Sequence, residues 1–285
     1  MTKRRLVYCL IVMSLAWAAC PALGYVPESA QIINEYLKTT GSAKSLEVRQ
    51  KRIYFDSRIE DGTAEFDETA KYVFPDRFRS DIVARTTSKT TIVNVDKALV
   101  ILDGIVASEH EERYDVYKDL LLFRNQALLM DCLQGLGINT SQTWFTRFEG
   151  RIVIAVGDQP QWGRDPSTFY VDKKTFLPVR LYLNARGENG EALEILYLTW
   201  KTYGKTKFPS RIELYREQSL IREYKIKGIS CELTFDESLF DVTSIKADLK
   251  QREVDETKPT EEPDNEIKKT IDGLDKIINK DPMAF

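Results

Sequence analysis

Side chains that usually carry covalent or acid–base chemistry are thinly spread in this sequence. His110 is its one histidine, and in Glu109-His110-Glu111-Glu112 it reads as part of a solvated loop or strand edge rather than as a base. A zinc site or a Ser/His/Asp triad would therefore need an improbable set of partners. There is no phosphate-cradling glycine loop and no GxSxG elbow. Charged residues make up 30% of the chain, so chance acidic pairs mean little, and the spacing that identifies a glycosidase couple is spatial. Cys132 and Cys231 are the thiols left once an N-terminal leader is set aside. In an oxidising compartment they could pair, or they could be two buried thiols acting as small hydrophobes. Asn139-Thr140-Ser141 fits a glycosylation sequon, which matters only in a eukaryotic secretory route. Trp162, in the Gln159–Pro166 loop, reads as an aromatic packed by an ordinary turn, with a contact point as the alternative. No catalytic residue, metal ligand or cofactor is nominated, and the chain reads as non-enzymatic.

What the residues do provide for is apolar contact. Periodicity in Tyr114–Leu136 (YDVYKDLLLFRNQALLMDCLQGL) predicts two short helices. In the second, Leu128, Leu129, Cys132, Leu133 and Leu136 share one face of a 3.6-residue period. Asn125 suits its N-cap, and Gly135 followed by Leu136 suits a left-handed C-terminal cap. Val116, Tyr117, Leu120, Leu121, Leu122 and Phe123 leave the first helix almost no polar circumference, so the pair needs apolar cover on more than one side. Such a pair would lie against the inside of a curved sheet, either as an ordinary core or as the lid of an oily cavity. Leu120, Leu121, Phe123, Leu128, Leu129 and Leu133 suit such a lid, and a permanently closed core would use the same residues.

The flanking elements read mostly as strands. Pro27–Leu37 predicts an amphipathic helix with Ile32, Ile33, Tyr36 and Leu37 on one face, stopped by Gly41. Four turn pairs then mark hairpins. Asp61-Gly62 joins Leu46–Phe55 to Ala64–Val73, and Asp103-Gly104 joins Ala98–Leu102 to Ile105–Ser108. Glu149-Gly150 joins Trp144–Phe148 to Ile152–Val156, and Asn189-Gly190 joins Leu177–Leu183 to Leu193–Trp200. Ser210–Arg216, Leu220–Lys227 and Glu232–Phe235 complete the set. Alternation places Leu177, Val179, Leu181 and Leu183 on one buried face. Near Pro75 it groups Phe78, Ile82 and Ala84 inward and leaves Arg79 on a solvated face. The order helix, strands, two helices, strands predicts an α+β, mainly β fold. Its sheet would be antiparallel, long and strongly curved, with helices in its concavity.

Composition bounds the rest. The formal charge is −3, and removing residues 1–24, which carry Lys3, Arg4 and Arg5 and no acid, takes it to −6. No nucleic acid is expected as a partner, since the basic footprint is missing. Lys3-Arg4-Arg5, the apolar run Leu6–Cys20 and Ala22-Leu23-Gly24 read as a secretory signal peptide over residues 1–24, with lipidation at Cys20 as the alternative. A folded domain is expected over 25–245, a charged linker over 246–266, and a short amphipathic helix with Ile267, Ile271, Leu274 and Ile278 in the tail 267–285. A monomer is expected.

One series of segments carries a resemblance. Tyr72-Val73-Phe74-Pro75-Asp76-Arg77-Phe78-Arg79 is similar to the "P-x-x-F-R" strand entry of the bacterial lipoprotein-carrier family (LolA/LolB-like, including outer-membrane lipoprotein-sorting proteins). Thr91–Leu102, the helical insert, Phe169–Pro178, Phe208–Ile212 and Phe235–Phe240 follow in that family's order, so the resemblance spans roughly residues 28–242. It implies an unclosed antiparallel β-barrel (a half-barrel) with a helical lid over an apolar cavity, which carries lipid or lipoprotein acyl chains across the periplasm, with an envelope protein as donor or acceptor partner. Phe78, Ile82, Leu177, Val179, Leu181 and Leu183 would line the sheet side, with Phe74, Pro75 and Arg79 as the motif. The chain departs from the pattern at Phe74, where the best-known carriers have an arginine that tethers the lid, and at Ser80, where they have an aromatic. The alternative expectation is a module of the same fold with a closed core, docking an envelope protein.

Overall fold

A computed structural model describes residues 25–57, 61–95, 97–162, 165–184 and 191–256. The leader, the Asn189-Gly190 turn and the Ile267–Ile278 helix expected from sequence lie outside them. The chain opens with α1 (Ser29–Thr40), then β1 (Ser45–Phe55), β2 (Thr63–Val73), β3 (Arg77–Val83), β4 (Ser88–Asn94), β5 (Lys97–Leu102) and β6 (Ile105–Ser108). A 3-10 segment, Arg113–Lys118, leads into α2 (Asp119–Leu122) and α3 (Gln126–Gly135). Next come β7 (Thr143–Phe148), β8 (Arg151–Gly157), β9 (Thr168–Asp172), β10 (Pro178–Leu183), β11 (Leu193–Tyr203), β12 (Thr206–Arg216) and β13 (Ser219–Cys231). A 3-10 turn, Glu237–Phe240, and α4 (Val242–Glu256) close the described chain.

The 13 strands of the described residues form one sheet in the order β6-β5-β4-β3-β2-β1-β13-β12-β11-β10-β9-β8-β7. Every neighbouring pair is antiparallel. Two meanders thus meet where β1 pairs with β13, and β6 and β7, consecutive in the chain, form opposite edges. The segment joining those edges runs over one face of the sheet. There α1, α2 and α3 share the main core with inward residues of strands from both meanders, among them Leu46, Tyr72, Phe78, Phe169, Tyr197 and Tyr224. Two smaller clusters cover the other face: Ile92, Leu99 and Ile101 under α4, and Val153, Ala155, Tyr170 and Val179.

The predicted hairpins form where both arms are described, and Leu183 faces Leu193 as expected. Glu232–Phe235 is not a strand. The helix α4 runs past residue 245, so the first part of the expected linker is helical. Asp241 caps it, accepting from the Thr243 and Ser244 amides at 3.1 and 3.0 Å. Val242, Ile245 and Leu249 pack on the cluster beneath; this apolar stripe is too sparse among charges to stand out in the sequence. Among the described residues no helix is long and apolar enough to cross a membrane.

Gly41 joins α1 to the sheet. Its φ is +96°, it bridges to Thr206, and a Cβ there would lie 2.0 Å from the Lys205 carbonyl oxygen. Gly41→Ala should therefore cost about 3 kcal/mol or more, from left-handed strain plus a backbone clash. Gly62→Ala, with φ +68° but no atom within 4 Å of the new carbon, should cost about 1 kcal/mol. Urea unfolding of the two variants checks the difference, and equal losses would rule out the clash.

Candidate functional site

The leucine-rich segment is built as the periodicity implies, with one change at its end. The Asn125 side-chain oxygen accepts from the Ala127 and Leu128 amides at 2.8 and 3.3 Å, capping α3. At the other end the Ile138 amide donates to Leu133 and the Gly137 amide to Gln134, at 3.0 and 2.8 Å. This is a Schellman closure with Gly137 in the left-handed position (φ +78°), so the cap glycine is Gly137 rather than Gly135. Leu120, Leu121, Leu129 and Leu133 are wholly buried in the main core and Phe123 packs against it, while Leu128 is half-buried.

On the sheet, Phe78, Leu177 and Leu181 belong to that same core and Leu183 packs on it. Ile82 is buried further along β3, where its register partners are Glu68 and Lys89. Val179 faces the other way and packs with Val153, Ala155 and Tyr170. The β9–β10 register shifts between Pro178 and Arg180, and that bulge turns Val179 to the outer face, breaking the alternation expected from sequence.

Single hydrogen bonds and ring contacts hold the segment. The Tyr36 hydroxyl donates to the Leu120 carbonyl, and that of Tyr197 to the Tyr117 carbonyl at 2.8 Å. Tyr117 stacks on Tyr224 with centroids 4.1 Å apart. The Arg124 guanidinium lies 4.6 Å from the Phe74 ring centroid, so the motif phenylalanine meets a cation from the helical insert; the Phe74-Pro75 bond is cis. Arg79 is not simply solvated. It pairs with Asp81 at 2.9 Å and donates to the Leu239 carbonyl at 3.1 Å, tying the C-terminal turn to β3.

Beside the apolar core the same face carries a charged cluster that the sequence reading did not identify. Arg52, Glu68, Asp115, Arg222 and Lys89 are all buried. Glu68 accepts from Arg52, from Gln50 at 2.9 Å and from Ser80. Asp115, in the 3-10 segment that leads to α2, lies 3.2 Å from Arg222 and 4.0 Å from Arg52. Glu112 joins Lys89 to Arg222, and Lys118 pairs with Glu111 and Asp119. A signal was present: the Asp61-Gly62 hairpin sets Gln50 opposite Glu68, in the inward parity of Leu46 and Val48. Burial pushes the Asp115 carboxyl up, but Lys89, Arg52, Arg222 and Lys118 outweigh it and hold it below the usual aspartate range.

The remaining candidates are dispersed. Cys132 and Cys231 are both free. Cys231 contacts the Tyr203 carbonyl oxygen at 3.3 Å, and burial pushes the Cys132 thiol up. The sequence left their pairing open, and both thiols are free in the structure. His110 is exposed, and Trp162 is fully exposed rather than packed by its turn.

Asp115→Asn removes the charge that two buried arginines share, which should lower stability at pH 7 by about 3–5 kcal/mol. A carboxyl held below its unfolded value stabilises above that value, roughly 3.9 for aspartate, and the contribution is lost as pH falls through the folded value. Denaturant unfolding of wild type and variant should therefore give a smaller difference at pH 3 than at pH 7. A difference independent of pH would mean that Asp115 is not ionised in the cluster.

No protein-family model matches this sequence, and no curated protein matches it. Solved structures do. A LolA superfamily protein from Nitrosomonas europaea aligns with a TM-score of 0.50 at 9% identity, over 75% of this chain and 98% of that one. A protein assigned as an outer membrane lipoprotein-sorting protein domain, from Vibrio parahaemolyticus, aligns with a TM-score of 0.49 at 12% identity, over 76% and 97%. A DUF1329 family protein from Desulfovibrio piger gives 0.48 at 9% identity, over 76% and 97%. At such identities the likeness is one of fold, here to the fold of the LolA superfamily protein from Nitrosomonas europaea.

Proposed function

We propose that the mature chain is a periplasmic, non-enzymatic carrier or binder of lipid or lipoprotein acyl chains. In this reading the sheet bends around α1–α3 as an unclosed barrel, and α2 and α3 are its lid. The observation that carries it is the placement of the leucines within a LolA-like fold. Leu120, Leu121, Leu129 and Leu133 share one core with β3 and β4 of one meander and β8–β12 of the other. Bending is supported by Tyr72 on β2 and Phe208 on β12, whose ring centroids are 5.8 Å apart. Three strand steps separate them, roughly 14 Å on a flat sheet. The α2 helix is a single turn, so packing rather than its own hydrogen bonds holds it, and an alkyl chain can substitute for leucine in that packing. A donor and an acceptor in the envelope would complete the route.

The complete burial of those leucines also favours the second reading, a module with a closed core that docks an envelope protein. Mass spectrometry of organic extracts of the purified mature protein separates the two. Co-purifying acyl lipid, and saturable uptake of a fluorescent fatty acid by delipidated protein, are expected; a clean extract with no uptake would end the carrier reading. Leu129→Ala should cost the empty protein about 2–5 kcal/mol and tighten the fatty-acid probe, because the deleted side chain leaves room for it. Weaker binding would mean that the chain does not replace Leu129.

A further inference from the structure

Arg124 lies between α2 and α3, at the tip of the proposed lid. Its Nε donates to the Leu121 carbonyl at 3.1 Å, and its guanidinium rests on Phe74. The other two nitrogens, Nη1 and Nη2, are buried and have no hydrogen-bond acceptor among the described residues. Tyr72 packs against the same Phe74 at 6.2 Å, and its hydroxyl is also buried without a hydrogen-bond partner among the described residues. Unmet buried donors of this kind are costly, and more so when charged. Acids elsewhere in the core do not answer them: Glu68 is taken by Arg52, Asp115 by Arg52 and Arg222, and Glu111 and Asp119 by Lys118. Burial also lowers the Arg124 pKa, as expected of a cation without a counter-ion.

The chemistry of what is missing is specific. One buried cation calls for one negative charge. With Nε occupied, the free Nη1–Nη2 edge matches two coplanar oxygens in a bidentate pair. Leu120, Leu121 and Phe123 in the same core supply apolar surface for a tail. We infer that Arg124 anchors the head group in the acyl site, binding the carboxylate of a long-chain fatty acid whose tail lies among the lid leucines. The assignment rests on the acyl-binding reading above and adds to it a charge and a head-group class.

Calorimetry on the delipidated mature protein, with palmitate, hexadecanol and a lysophosphatidylglycerol as probes, tests it. Wild type should bind palmitate at least about tenfold more tightly than hexadecanol, the scale of a desolvated charge-assisted pair. Arg124→Gln should abolish that preference while leaving hexadecanol binding in place, and Arg124→Lys should keep part of it. The 13C shift of carboxyl-labelled palmitate bound to wild type should titrate at lower pH than in detergent, a readout that needs no variant to fold. Equal binding of palmitate and hexadecanol, a preference that survives Arg124→Gln, or an unshifted carboxyl titration would overturn the anchor while leaving acyl binding intact. Preference for the lysophospholipid would replace the carboxylate by a phosphodiester and overturn the assigned class. Binding of none of the probes would overturn acyl binding itself, and the anchor with it.

Discussion

The carboxylate of Asp115 lies between two guanidiniums that share its burial, Arg222 at 3.2 Å and Arg52 at 4.0 Å. Arg52 is on β1 and Arg222 on β13, the strands at which the two meanders join, so one side chain from the β6–β7 connection is fixed to both halves of the sheet. None of these charges is tolerable in the interior by itself, and the position of each therefore depends on the others. Glu68 completes the hydrogen bonding of Arg52, and Glu112 links Lys89 to Arg222. Past this point the chain runs directly into Tyr117, stacked on Tyr224, and then into α2.

The inward face is thus divided. One part, near Arg52, Glu68 and Arg222, is held by charges whose separation would be costly. The other, around Leu120, Leu129, Phe169 and Leu181, is held by non-directional apolar contact, which a hydrocarbon can replace at little cost. Under the proposed function this gives the helical insert a fixed root at Arg113–Lys118 and an exchangeable body from Asp119 onward. Hydrogen bonds tie that body to α1 from Tyr36 to Leu120 and from Gln126 to Ala30.

The motif that carries the family resemblance has a different internal logic in this chain. Where the best-known carriers have an arginine before the proline, Phe74 offers an aromatic face, and the cation comes from Arg124 on the opposite side of the interface. Contact between sheet and insert is kept, with the cation on the insert rather than on the sheet. Arg79, at the end of the motif, fastens the turn that leads to α4.

Much of the architecture follows from local rules. Turn pairs at Asp61-Gly62, Asp103-Gly104 and Glu149-Gly150 set hairpins and registers, and the leucine period over 128–136 together with Asn125 set α3, because turn chemistry, alternation and helical period act within a few residues. The sequence by itself therefore determined a β-rich chain with an oily helical insert. Only the tertiary structure decided which charges lie inside, since Arg52, Asp115 and Arg222 are distant in sequence and their burial is tolerable only together. It also decided that a bulge turns Val179 outward, that three apolar residues suffice to dock α4 on Ile92, Leu99 and Ile101, and that Arg124 has two buried nitrogens without a hydrogen-bond acceptor among the described residues. Each of these depends on which strand lies beside which, a relation between distant segments to which local pattern is blind.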